Sequence, residues 1–174
     1  MRPLFDIVVS VLLFAVTAVV AQLFGLSFFL PDWLVLSSFF VARGHGGLVS
    51  VVVVFLLALF FSAFHYAPPL LFAAVGFFVW SAVRLGARRV NLANPIFVGG
   101  VLFLLTYGAQ MLLHFGFAWL MDCEPEANPV LLWPNSLGIA ACSGLLGPLV
   151  LGFWQRLSER LFGEGHREVF ILRQ

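Results

Sequence analysis

The sequence predicts an all-α fold: one integral-membrane domain of six transmembrane helices. Three observations carry this. Of 174 residues, 62% are apolar and 10% are charged, with a mean hydropathy of +1.07. A soluble domain carries about 45–50% apolar and about 25% charged residues. The 9 basic and 8 acidic side chains cannot coat a water-soluble body of this size. A soluble enzyme is therefore excluded, and so is a disordered chain, which needs low hydrophobicity and high charge. Second, charge-free stretches recur at membrane length. Third, the basic residues sort to one side of the predicted crossings.

The spans follow in order at 6–25, 28–43, 47–65, 69–84, 96–120 and 136–155, with a tail over 156–174. A membrane helix needs about 20 apolar residues to cross about 30 Å of hydrocarbon. The first span fills the uncharged stretch between Asp6 and Asp32. It can be read as a cleaved signal peptide, with Val19-Val20-Ala21 as the cleavage site. The uncleaved anchor is preferred, because one arginine makes a poor positive region and the apolar run exceeds a signal core.

The second span is the short one. Only ten residues separate Asp32 from Arg43. Either a helix starts near Ser27 and kinks at Pro31, or a short helix is shielded by its neighbours, or the segment is re-entrant. The third and fourth spans share the stretch between Arg43 and Arg84, broken by Pro68-Pro69. Arg43-Gly44-His45-Gly46-Gly47 reads as a tight turn with an interfacial arginine; no Gly-Lys-Ser/Thr follows to make a phosphate loop. The fifth span opens at Asn94-Pro95. The sixth opens at Trp133-Pro134-Asn135, after an acidic, proline-bearing external loop over 122–135. It is expected to continue to about Phe162, where Gly163 stops it. Strictly alternating ten-residue segments, as a β-barrel requires, are absent from the sequence.

Six crossings place all nine arginines on one side: Arg2, Arg43, Arg84, Arg88, Arg89, Arg156, Arg160, Arg167 and Arg173. Asp32, Asp122, Glu124 and Glu126 fall on the other. The positive-inside rule then puts both termini in the cytoplasm. It also favours a true crossing by the second span.

Polar groups inside the spans are few, and such groups mark function by default. Thr106, Gln110 and His114 recur every four residues along one stripe of the fifth span. They line a small-molecule pocket, with Trp119 and Trp133 near its mouth, or they make hydrogen bonds between helices. The second reading is preferred, because no carboxylate accompanies His114. His65 and His114 are weighed as haem ligands and set aside for their unequal depth. Small residues form two stripes, Ser50-Val54-Ala58-Ser62 on the third span and Ala140-Gly144-Pro148-Gly152 on the sixth. Packing within the bundle is the plainer reading, and docking of a partner's membrane helix is the functional one. Cys123 and Cys142 make no zinc or redox pattern, and Cys142 is too deep for an external disulfide. No basic run suggests nucleic acid, and no catalytic, cofactor or metal constellation is expected.

Several local stretches resemble the bacterial rod-shape-determining protein family MreD. They are Pro31-Asp32-Trp33-Leu34-Val35-Leu36 with Arg43-Gly44, the run Phe55 to Ser62 followed by Pro68-Pro69-Leu70, and Arg88-Arg89 after the fourth span. The chain departs from the family at Ser62, where an aspartate is common, and at Phe64-His65-Tyr66-Ala67. The resemblance implies a non-enzymatic membrane component of the cell-elongation machinery in the bacterial inner membrane. It would bind a bitopic MreC-like partner and, through it, an MreB-like cytoskeleton and peptidoglycan synthases. It also implies a fold similar to the substrate-binding components of energy-coupling-factor vitamin transporters. A small-molecule-binding transporter component is therefore the alternative. Pro31, Asp32, Arg43 and Gly44 are expected to define the fold at the second span. Partner contact is expected from the sixth-span stripe and from Arg84, Arg88 and Arg89.

Overall fold

A computed structural model of the protein describes residues 2–25, 30–65, 68–86, 94–120 and 129–162. These form six α-helices: α1 (Arg2–Phe24), α2 (Trp33–Gly44), α3 (Gly47–His65), α4 (Pro69–Gly86), α5 (Pro95–Leu120) and α6 (Pro129–Phe162). No strand occurs among the described residues. All the helices except α2 are long and apolar enough to cross a membrane. Their outer faces carry large exposed apolar side chains, such as Leu12, Val16, Phe55, Leu70, Ile96, Leu104, Leu145 and Phe153. Contiguous apolar surface on this scale needs lipid or protein against it. The chain is built as a multi-pass membrane protein.

The helices alternate in direction. Asp6 near the start of α1 meets His45 after α2 and Trp154 late in α6, while Asp32 at the start of α2 meets Gln110 and Ser143. Phe5 and Phe162 pack edge to face, with centroids 5.2 Å apart, so both described ends of the chain sit at one end of the bundle. That end also carries Arg43, Arg84, Arg156 and Arg160 and is called the basic end below.

The long helices close a ring in the order α1, α3, α4, α5, α6, and α2 runs down its centre. Every side chain from Trp33 to Ala42 is buried. At about 1.5 Å per residue, its 12 residues span about 18 Å, well short of a bilayer. The ring shields the helix from lipid, so neither a kink nor a full crossing length is needed.

Three sequence-derived boundaries change. The second span, expected over 28–43, is helical only from Trp33. Pro31 lies before the helix and does not kink it, because Asp32 is the N-cap. The sixth span, expected over 136–155, runs from Pro129 to Phe162, so residues 129–135 are helix and not loop. Pro129 takes the first helical position, where its missing N–H has no partner to lose. The expected stop at Gly163 lies outside the described residues. The first span starts at Arg2, which puts Asp6 inside a helix. The third span matches Gly47–His65, and its entry turn uses Gly47 at a φ of 55°, a left-handed conformation that favours glycine.

Candidate functional site

The polar side chains of the interior gather at the two ends of α2. At the basic end, the helix stops at Gly44 and His45 adopts an extended cap. Each polar group of His45 then binds a different element. Its backbone N–H donates to the Val41 carbonyl at 3.0 Å, its carbonyl accepts from Arg84 of α4, and its ring Nε2 meets the Asp6 carboxylate of α1. The second Asp6 oxygen accepts from Trp154 Nε1 of α6 at 3.3 Å. Asp6 is fully buried and His45 is 9% exposed. A buried carboxylate is costly unless it is paired and hydrogen-bonded, and here it is both.

Arg84 extends the cluster to α3. Its guanidinium also reaches Ser50 Oγ at 3.4 Å, and it lies 5.7 Å from the Trp80 ring. Trp80 Nε1 donates to the same hydroxyl at 2.9 Å. The Trp154 indole stacks on Phe40 of α2, with centroids 4.2 Å apart and planes 15° apart. The indole therefore supplies both packing area and a donor.

At the far end, Asp32 does three things. Its Oδ1 accepts from the Val35 N–H at 3.1 Å, which caps α2. Its Oδ2 accepts from Gln110 Nε2 of α5 at 2.7 Å. Its backbone N–H donates to Ser143 Oγ of α6 at 2.8 Å. Gln110 lies ten residues before Leu120, the end of α5, or about 15 Å along the axis. This cluster is thus recessed from the tip of the bundle.

The fifth-span stripe splits accordingly. Gln110 bonds between helices, and the carboxylate it meets is that of Asp32, which sequence reading placed at a membrane boundary. Thr106 is fully buried, with Oγ1 lacking a partner among the described residues. His114 is half-buried, edge-on to Phe115. Trp119 is 82% exposed. The side chains of His65 and Trp133 lie outside the described residues.

The small-residue stripes are spent within the chain. A Cβ on Gly99 would stand 2.7 Å from the Gly144 carbonyl oxygen and 3.5 Å from Pro148. The α5 and α6 backbones thus touch there. Ala140 is buried, and of this stripe only Gly152 has open space beside it. On α3, Ser50, Val54, Ala58 and Ser62 are all buried, and Val54 and Ala58 meet Gly76 of α4. Arg43 is half-buried, with its guanidinium 5.8 Å from the Phe39 ring. Arg84 faces inward to His45. Arg88, Arg89 and Cys123 lie outside the described residues, and Cys142 is buried on α6.

No family model matches the chain, and neither the curated proteins nor the solved structures contain a match.

Sequence reading missed Asp6, His45, Trp154 and Ser143. Asp6 served there as the charge that ends a span, and His45 as one residue of a glycine turn. The usable signal was a lone carboxylate in the first turns of an apolar helix, facing a sequence with few other ionisable groups. Among the described residues, no group of three or more His, Cys, Asp or Glu side chains is placed to hold a metal.

Proposed function

We propose that the chain is a non-enzymatic scaffold of the bacterial inner membrane, similar to MreD. It holds a bitopic MreC-like partner and, through it, an MreB-like cytoskeleton and peptidoglycan synthases. Both termini lie in the cytoplasm, in keeping with the arginines gathered at the end where α1 begins and α6 stops. One observation carries the reading. Asp6, His45, Arg84, Asp32 and Gln110 are all engaged in fixing α2, which leaves an apolar exterior as the surface on offer. An exterior of this kind suits association with other membrane helices. Gly152, with Leu149 and Phe153 exposed around it, is the part of the sixth-span stripe open to such a partner.

Affinity purification from native membranes in mild detergent tests this, with co-purifying proteins and small molecules identified together. A bitopic coiled-coil protein and cell-wall synthases are expected. A protein that purifies alone removes the reading.

One observation favours a second reading, a small-molecule-binding component of a transporter. The recessed Asp32–Gln110–Ser143 cluster, with His114 one turn farther out, offers convergent polar groups among apolar walls. A co-purifying ligand together with an ATPase module would select it.

A further inference from the structure

We propose that α1 is a separately movable helix and that the charge on Asp6 latches it to the rest of the bundle. Full burial on α1 is confined to one turn. Among its described side chains only Asp6, Val9 and Ser10 are buried, and these lie at i, i+3 and i+4 on one face. From Val11 to Phe24 no described side chain is fully buried. Only 18% of the α1 span is enclosed, against 39% for each of α3 and α4 and 28% for each of α5 and α6.

The closest approaches between the other helices leave α1 out. The contacts between α5 and α6, between α3 and α4, and between α2 and α4 run through Gly99–Gly144, Val54–Gly76 and Ser38–Gly76, none of which touches α1. The polar tie from Asp32 to Gln110 and Ser143 also leaves α1 out.

What α1 does possess is Asp6. Its carboxylate reaches His45 beyond α2 and Trp154 on α6, two elements that no other polar side chain of α1 reaches among the described residues. Arg84 also lies at this cluster, where it acts on the His45 carbonyl and on Ser50. Ser10 returns its hydroxyl to the Asp6 carbonyl and adds no tie outside α1. The remaining described contacts are apolar: Val9 lies in the core, Ile7 and Leu13 pack against it, Phe14 is edge-on to Phe60, Phe61 and Phe64, and Phe5 to Phe162. In lipid, apolar contacts of this kind exchange for contacts with acyl chains, since tails are as apolar as the side chains they replace. The carboxylate has no such exchange open to it without losing its partners. The latch is therefore electrostatic, and its release opens the seam between α1 and α6 beside α2.

The test is crosslinking in native membranes, in a background with Cys123→Ser and Cys142→Ser. A Phe5→Cys/Phe162→Cys pair with a short bis-thiol reagent reports α1 against α6. A Val54→Cys/Gly76→Cys pair reports α3 against α4. Asp6→Asn keeps the shape and an acceptor but removes the charge. The expected result is a fall of about tenfold in the α1–α6 crosslinking rate, as suits loss of one partner of a buried pair, with the α3–α4 rate unchanged. An unchanged α1–α6 rate overturns the latch. A parallel fall at both pairs also overturns it, because Asp6 would then hold the whole bundle and not α1 alone.

Discussion

Asp6 and His45 stand 39 positions apart in the chain and meet as a buried carboxylate–imidazole pair at one end of the central helix. Asp32, at the opposite end of the same helix, repeats the pattern with Gln110. A helix of three turns is thus fastened at both ends by a carboxylate.

Removing the Asp6 carboxylate strands a buried imidazole and a buried indole donor. Asp6→Ala is expected to lower stability by about 3–5 kcal/mol, the cost of breaking a buried pair from one side. Trp154→Phe keeps a ring on Phe40 but removes the Nε1 donor and part of a fully buried indole, so a loss of about 2–3 kcal/mol is expected. Unfolding midpoints in mixed micelles check both. Equal losses would show that the ring, not the donor, is what matters at Trp154.

Gln110→Leu removes the far-end tie without a large change in volume. The expected loss is about 1–2 kcal/mol, near the upper end for hydrogen bonds between membrane helices, because the acceptor is a carboxylate. A double-mutant cycle with Asp32→Asn isolates the pair. A coupling indistinguishable from zero would mean that the two side chains do not bond in the membrane.

The two adjacent glycines of α5 should behave oppositely. At Gly99 a methyl group meets the Gly144 backbone, which cannot swing aside as a side chain would, so Gly99→Ala is expected to cost about 1–3 kcal/mol. At Gly100 nothing lies within 4 Å, so Gly100→Ala should be neutral or stabilising by about 0.5–1 kcal/mol through helix propensity. The same micelle titration reads both variants, and a Gly99→Ala protein as stable as its parent would refute the close α5–α6 approach.

The proposed orientation makes Cys123 external and Asn94 cytoplasmic. A membrane-impermeant thiol reagent should label native Cys123 on intact spheroplasts. It should label Asn94→Cys, in a Cys123→Ser background, only after permeabilisation. The reverse pattern would invert the topology.

Much of this architecture is legible in the sequence, because lipid imposes length and polarity rules that few residues escape. The third span is read residue for residue, since Gly46-Gly47 opens it and Pro68-Pro69 follows it. Gln110 is recognisable as a polar group needing a partner in another helix. Its partner is not, because Asp32 sits beside a proline at what looks like a span edge. The same blindness hides Asp6. Counting charge-free stretches treats every carboxylate as a boundary, yet a carboxylate with an imidazole and an indole to meet it can lie inside the bundle. Those two groups are 39 and 148 positions away, and one sequence carries no record of that proximity.

The shortness of α2 bears on how the protein is made. The ten residues between Asp32 and Arg43 are too few to be inserted as an independent span, and a stretch of that size belongs in a protein core. The groups that seat it are synthesised much later: Arg84, then Gln110, then Ser143 and Trp154. The nascent chain must therefore carry α2 in a provisional state, paired with α3 across the Gly46-Gly47 turn, until the sixth helix leaves the ribosome. A chain cut short before α6 lacks Trp154 for Asp6 and Ser143 for Asp32 at once. The central helix is thus made second and seated last.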